Sequence, residues 1–282
     1  MDRLAIEKTY KLFVKNEFIR SESGHSLAVT DASGVTNVAR ASRKDARDAV
    51  LAAKEGHKSW AGKTAYLRGQ VLYRLAEVME GRRAELVESR TRAGATDAAA
   101  EVDAAIDRVV HYAGWADKLA TILSSANPVA GPHFNVTSPE PMGVVVVVPP
   151  EQRPLLGLVS TILPIIVSGN AALVLAPEAD PRTSVAFCEC VATSDLPGGV
   201  INVLTGLRSE VLPHLAKHMD VQGLDLWKSA TLGDELAKAS AVAGADNVKR
   251  VKVRAEAAAD AEGLGFVEAW VEQKTVWHPV GL

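Results

Sequence analysis

Few residues of this chain have both a type and a spacing suited to chemistry. Cys188 and Cys190 stand two apart inside Thr183 to Thr193, a segment that reads as a helix. A thiolate can serve as a nucleophile or metal ligand, but neighbours that close on a helix point to different faces, so ordinary disulfide geometry is not expected. Packed in a helix they read as inert structural thiols, and no metal site is expected. Ser229 precedes a helical segment at Leu232 to Ala243, where a hydroxyl either contacts a phosphate or caps the helix. Asn135-Val136-Thr137 is formally a glycosylation sequon and is expected to be idle. In Val251-Lys252-Val253-Arg254 apolar and basic residues alternate, which suits a half-exposed strand or a protected sheet edge.

The elements that must position these residues centre on Pro141 to Glu178. Val144 to Val148 is an unbroken β-branched run, as in a strand buried on both faces of a parallel sheet. Pro149, Pro150 and Pro154 stop it. Leu155 to Val167 then reads as a packed helix, Gly169-Asn170 as its stop signal, and Ala171 to Leu175 as the next strand. A ligand of such a βαβ unit sits at the carboxyl end of the first strand. Downstream come a turn at Pro197-Gly198-Gly199, a strand over 200–204, a helix over 209–218, a strand over 223–227 and a strand over 248–254. That alternation predicts a doubly wound α/β sheet. Upstream, residues 10–40 look β-rich. Three amphipathic helices follow, beginning at Ser42, carrying Leu67 to Met79, and running from Asp97 to Leu123, and all three read as plain core packing.

With 282 residues the chain can bury a sizeable core, and 48% hydrophobic with 23% charged residues excludes a disordered composition. The net charge of −3 gives no reason to expect nucleic acid or an anionic membrane as partner. The first residues lack a signal-peptide pattern and the apolar run after Pro154 is short of a bilayer span, so a cytoplasmic protein is expected.

The 141–178 stretch resembles the aldehyde dehydrogenase superfamily, whose members carry a Gly-Val-rich strand, Pro-Trp-Asn-Phe-Pro, an apolar helix, Gly-Asn and a strand ending Lys-Pro-Ser-Glu. Residues 196–206, Leu-Pro-Gly-Gly-Val-Ile-Asn-Val-Leu-Thr-Gly, are similar to the family's Leu-Pro-Pro-Gly-Val-Val-Asn-Val-Val-Thr-Gly, and Phe266 to Trp277 resembles the segment that ends its full-length members. The resemblance implies a Rossmann-like doubly wound parallel sheet with flanking helices and a projecting β arm. Its parts would be 1–123 and 143–260 as the cofactor-binding-like domain, 124–142 as the oligomerisation arm and 261–282 as an oligomerisation tail. In the family about two hundred residues of catalytic domain, a typical domain size, separate the equivalents of Arg254 and the tail, whereas here about ten do.

Set against the family pattern, the chemical residues diverge. The asparagine that helps stabilise the oxyanion aligns with Gln152, and the general base with Arg254, which cannot accept a proton at neutral pH. Glu256, two residues on, reads as a solvated carboxylate. No Phe-x-x-Gly-Gln-x-Cys motif supplies a nucleophile. The lysine that contacts the adenosine ribose corresponds to Ala176, and the glycines of Thr-Gly-x-Gly-x-x-x-Gly to Gly206, Arg208 and Leu212. Gly-Ser-Thr becomes Lys228-Ser229-Ala230. The surviving cofactor-binding candidates are Glu178, Gly206, Ser229 and Gly233. The expectation is a catalytically inactive subunit with no bound cofactor, or at most weak NAD(P). It would assemble with a full-length aldehyde dehydrogenase or with itself, since the family's arm packs on the catalytic domain of a partner subunit. An NAD(P)-binding regulatory module, or an aldehyde oxidoreductase that borrows a partner's catalytic domain, are the alternatives.

Overall fold

The computed structural model describes residues 8–31, 34–255 and 262–281. Four short strands open the chain: β1 (Leu12–Val14), β2 (Glu17–Ile19), β3 (Ser26–Asp31) and β4 (Gly34–Ala39). Five helices follow: α1 (Arg43–Ala61), α2 (Ala65–Gly81), α3 (Arg83–Arg92), α4 (Ala98–Trp115) and α5 (Leu119–Leu123). Then come β5 (Ser125–Asn127), β6 (His133–Pro141), β7 (Val144–Val148), α6 (Pro154–Ile166), β8 (Ala171–Leu175), α7 (Pro181–Ala192) and β9 (Ile201–Leu204). The chain finishes with α8 (Arg208–Lys217), β10 (Gly223–Trp227), α9 (Asp234–Ala245), β11 (Arg250–Arg254), α10 (Leu264–Glu268) and β12 (Val271–Pro279).

The main sheet runs β11-β10-β7-β8-β9-β1-β2. From β11 to β9 it is parallel, and β1 and β2 add antiparallel strands beyond β9, so the expected parallel sheet is mixed at one side. The valine run explains the layering. Val145 and Val147 enter a core shared with α2, α4, α6 and α7, while Val144, Val146 and Val148 enter one shared with α1, α8 and α9. Alternate side chains on a strand face opposite ways, so one β-branched run serves both layers.

The glycine-rich turn before β9 has a packing reason. A Cβ on Gly199, which has φ +91°, would come within 2.2 Å of the Ala52 carbonyl oxygen, and one on Gly56 would meet the same turn. α1 therefore lies directly on this backbone. Asn202 secures the turn by donating to the Gly199 carbonyl (2.7 Å) and accepting from the Lys15 amide (3.0 Å).

A separate three-stranded sheet is built from β12, β6 and β5, with β12 pairing antiparallel to β6 from Val271↔Pro141 to Pro279↔His133. Asn135 lies in β6, nearly buried, and its Oδ1 accepts from Asn127 Nδ2 at 2.6 Å, so the sequon's amide is engaged inside the protein. Buried Trp270 joins this sheet to the body. Asn170 Nδ2 donates to the Trp270 carbonyl (2.7 Å), while Asn170 Oδ1 accepts from the Gly143 amide (2.8 Å).

Two readings of the helices change. The segment expected as one helix from Asp97 to Leu123 breaks into α4 and α5, and α3, which the sequence reading passed over, packs against α4 and α7. Nor is α4 plain core packing. Its buried stripe at Ala98, Glu101, Val102, Ala105, Arg108 and Val109 carries two charged residues. Among the described residues no helix is long and apolar enough to cross a membrane.

Candidate functional site at the carboxyl ends of the strands

Chain order along the sheet reverses between β7 and β10. After β7 the strands step through β8 to β9, then α8 carries the chain back so that β10 lies on the other side of β7. Such a switch point opens a crevice at the carboxyl ends of the strands. Here its walls are the loops at 149–153, 176–180, 205–207 and 228–233.

Arg208 fills this crevice. It is the first residue of α8, is 1% exposed, and its guanidinium reaches four groups from the facing loops. Nη2 donates to the Pro149 carbonyl (2.8 Å), and Nη1 donates to Thr231 Oγ1 (2.8 Å) and Ser229 Oγ (3.2 Å) and pairs with Glu151 Oε1 at 2.6 Å. Glu151 accepts in addition from Thr231 Oγ1 (2.6 Å) and from the Glu178 and Ala179 amides (3.1 and 3.0 Å). Glu178 in turn accepts from the Arg208 amide at 2.7 Å, capping α8, and burial raises its carboxyl above the ordinary range against the pull of that amide and of the Arg208 charge. One ion pair thus laces together the loops after β7, β8, β9 and β10.

The other sequence candidates divide into those in this cluster and those outside it. Ser229 is in it, but it is not the N-cap of α9. It sits in the turn before the helix, where Oγ accepts from the Leu232 amide (3.2 Å), and Gly233 is the N-cap. Gly233 has φ −72° with open space around its Cβ position, so the fold places no demand for glycine there. Asp234 and Glu235 occupy the first turn of α9, and Lys228 pairs with Asp234 at 2.5 Å. These acids already complement the positive end of the helix dipole. Gly206 has φ +143°, and a Cβ there would come within 3.0 Å of the Ala41 nitrogen, so the close packing of residues 40–41 accounts for it.

Gln152 is exposed on the rim, beside Arg153, which takes φ +46° to turn the chain into α6. Arg254 lies apart, at the end of edge strand β11. Its Nε donates to Asp225 Oδ1 (3.0 Å), and its guanidinium stacks 4.8 Å from the Phe266 ring and 5.5 Å from the Trp227 ring. Asp225 also accepts from the Trp227 indole N–H (2.9 Å), and burial raises its pKa, with Arg254 pulling the other way. Arg254 is therefore half-buried and paired, and of the alternating pattern only Lys252 and Val253 face solvent. Glu256 lies outside the described residues.

Both cysteines are buried and free. Burial pushes the Cys188 thiol well above its ordinary range and that of Cys190 up to about 11, so neither is a ready nucleophile near neutral pH. Among the described residues no group of three His, Cys, Asp or Glu side chains is placed to hold a metal ion.

Sequence reasoning missed two supports of the site. Glu151 was passed over because a loop carboxylate has no periodicity to fix its direction. The other is Glu101 on α4, fully buried. Its Oε1 accepts from the Leu155 and Leu156 amides (2.9 and 3.3 Å), and its Oε2 accepts from Arg90 Nε (2.8 Å). Arg90 continues to Asp180 Oδ2 at 2.6 Å. Glu101 thus caps α6 from a distance, since Arg153 at its N-cap makes no side-chain cap bond. A carboxylate on an apolar helical stripe was the available signal.

A mixed doubly wound sheet with its loops converging at a switch point defines the class of a nucleotide-binding α/β fold. The chain belongs to the aldehyde dehydrogenase family, whose pattern matches residues 18–259. It is 32% identical over 263 residues to the cytosolic 10-formyltetrahydrofolate dehydrogenase of Mus musculus, covering 89% of this chain and 29% of that protein. With an aldehyde dehydrogenase of Davidiella tassiana it shares 30% identity over 98% of this chain and 55% of the relative. Among solved structures, PnpE from Pseudomonas sp. WBC-3 superimposes with a TM-score of 0.80 at 25% identity, over 87% of this chain and 50% of that one. PnpE has also been solved in complex with nicotinamide adenine dinucleotide. The chain therefore spans about half of the aldehyde dehydrogenases it matches and under a third of the formyltetrahydrofolate enzyme.

Proposed function

We propose that this chain is a catalytically silent member of the family that serves as an assembly partner of a full-length aldehyde dehydrogenase. The observation that carries the reading is Arg208. A dinucleotide bound at the switch point needs close backbone approach and free amides for its pyrophosphate. In this chain a fully buried guanidinium, already paired with Glu151, lies across that path, and Asp234 adds negative charge at the next helix N-terminus. These residues do not fit a pyrophosphate. Arg254, at the base position, is committed to Asp225, and the two thiols are sealed in the core.

What supports assembly is the three-stranded sheet, whose outer strand β12 is mostly exposed, with Trp277 at 58%. An unpaired strand edge invites strand addition. The part of the relatives that this chain does not match is the natural receptor, which favours a full-length subunit over a second copy of the chain. The test is co-expression with a full-length aldehyde dehydrogenase, followed by affinity capture and light scattering, alongside calorimetry with NAD and NADP and an aldehyde-oxidation assay of the chain alone. The expected result is a stable complex, no turnover and no NAD or NADP binding in the crevice tighter than about millimolar. Micromolar NAD binding would establish the regulatory-module reading instead, and turnover only in the complex the borrowed-domain reading.

A further inference from the structure

A second concavity lies between α1 and α8, and nothing above uses it. It is about 610 Å³, within the size range of small-molecule pockets, and lies between the first turns of α1 and the last turns of α8. Arg43, Lys44, Arg47 and Lys217 line it together with His214 and His218, and Glu22 is the one carboxylate among the lining residues. Four permanent cations converge here on a chain whose net charge is −3. Its floor is apolar, from Ala46 and Leu215.

The acid nearby is already spent. Glu22 pairs with Lys44 (3.6 Å) and accepts from Ser42 Oγ (3.3 Å), and Asp48 accepts from Arg47 (3.1 Å). Arg43 and Lys217 have no ion-pair partner among the described residues. The helix end does not make the site either. Asp45 and Ser42 form a capping box in which Ser42 Oγ accepts from the Asp45 amide and Asp45 Oδ2 from the Ser42 amide, and Asp45 also accepts from the Glu22 amide and Ser21 Oγ. What faces the cavity is cationic side chains from two rigid helices. His218 adds a directed donor, because its Nδ1 accepts from the Asp220 amide (3.2 Å) and the proton is left on Nε2.

We propose that this cavity binds an organic phosphate of nucleotide size, its phosphate groups on Arg43, Lys44 and Lys217 and its ring or alkyl body on the Ala46–Leu215 floor. Guanidinium and ammonium groups held on two helices suit a multiply charged phosphate better than a single carboxylate, whose one charge would leave Arg43 or Lys217, the two unpaired cations, uncompensated. The site is distinct from the crevice, since His214 and Lys217 lie about 9 to 14 Å along α8 from Arg208 at 1.5 Å per residue.

The test is isothermal calorimetry of the full chain with ADP, AMP, adenosine and inorganic phosphate as separate probes. Expected are saturable binding that strengthens from phosphate to AMP to ADP, none for adenosine, and weakening as salt rises from about 50 to about 300 mM. Arg43→Glu with Lys217→Glu should weaken ADP binding about ten-fold or more with an unchanged circular dichroism spectrum and melting temperature. Arg208→Ala, in the crevice, should leave it unchanged. Loss of ADP binding in Arg208→Ala but not in Arg43→Glu/Lys217→Glu would overturn the proposal by moving the ligand to the crevice. So would the absence of saturable binding by any of the phosphate probes.

Discussion

Arg208 puts into the crevice a charge that had to be buried. A guanidinium in a crevice is stable only if its donors are met and its charge is paired. Glu151 does most of that work, and in doing so becomes dependent on Arg208. Glu151→Ala should therefore cost about 3 kcal/mol of unfolding free energy, because it leaves a buried cation uncompensated. Urea denaturation of Glu151→Ala beside Glu151→Ala/Arg208→Met checks this, and the double variant should be the more stable of the two. The cysteines give a second residue-scale prediction. In the native protein neither should react with a thiol reagent at pH 8, and both should on unfolding. Because the folded pKa of Cys190 is raised to about 11 from the ordinary value near 9, its contribution to stability is complete below pH 9 and is lost as pH climbs to about 11. Over that window Cys190→Ala should lose less stability than the wild type, as pH-dependent melts would record. The basic residues Arg208 and Arg254 could be singled out from the sequence. What Arg208 and Arg254 pair with was not, because that depends on loop and strand-end geometry without period.

At the scale of elements, β7, α6 and β8 were legible because sequence pattern and burial agree there. Five β-branched residues, a proline stop and a Gly-Asn turn leave few alternatives. The break between α4 and α5 was hidden because Ala116, Ala120 and Leu123 continue a helical apolar spacing across it. The tail's position was also hidden, since the chain neighbours of Asn170 say nothing of a partner 100 residues away. That partner gives the Gly-Asn turn a second role. Asn170 bonds the start of β7 and the entry to β12 at once, so Asn170→Ala strands two buried backbone groups, the Gly143 amide and the Trp270 carbonyl. At roughly 1–3 kcal/mol per stranded group, the loss should be about 3 kcal/mol. Hydrogen exchange should locate it in 264–279 and the start of β7, and Asn170→Asp should rescue the Gly143 bond only.

For the whole molecule, the unusual feature is a three-stranded sheet separate from the main one that presents an outer strand to solvent. Trp277 and Phe134 are 58% and 56% exposed on opposite faces of that sheet, Trp277 beside Asn135 and Phe134 beside His278. An exposed aromatic on an unpaired edge strand, as Trp277 is, is the kind of feature that a partner covers. If a full-length aldehyde dehydrogenase subunit receives this sheet, Trp277 should be an anchor of the contact. Trp277 is mostly exposed and its ring meets the exposed His133 ring edge-on, so Trp277→Glu should leave the melting temperature close to that of the wild type. Anchor residues of this type are worth about 2 kcal/mol or more, so affinity for the partner should fall about thirty-fold. Light scattering and sedimentation of the purified chain, alone and with the co-expressed dehydrogenase, read the outcome. A chain that stays monomeric at micromolar concentration and ignores the dehydrogenase, or a Trp277→Glu variant that binds as tightly as the wild type, would refute the assembly role assigned to this sheet.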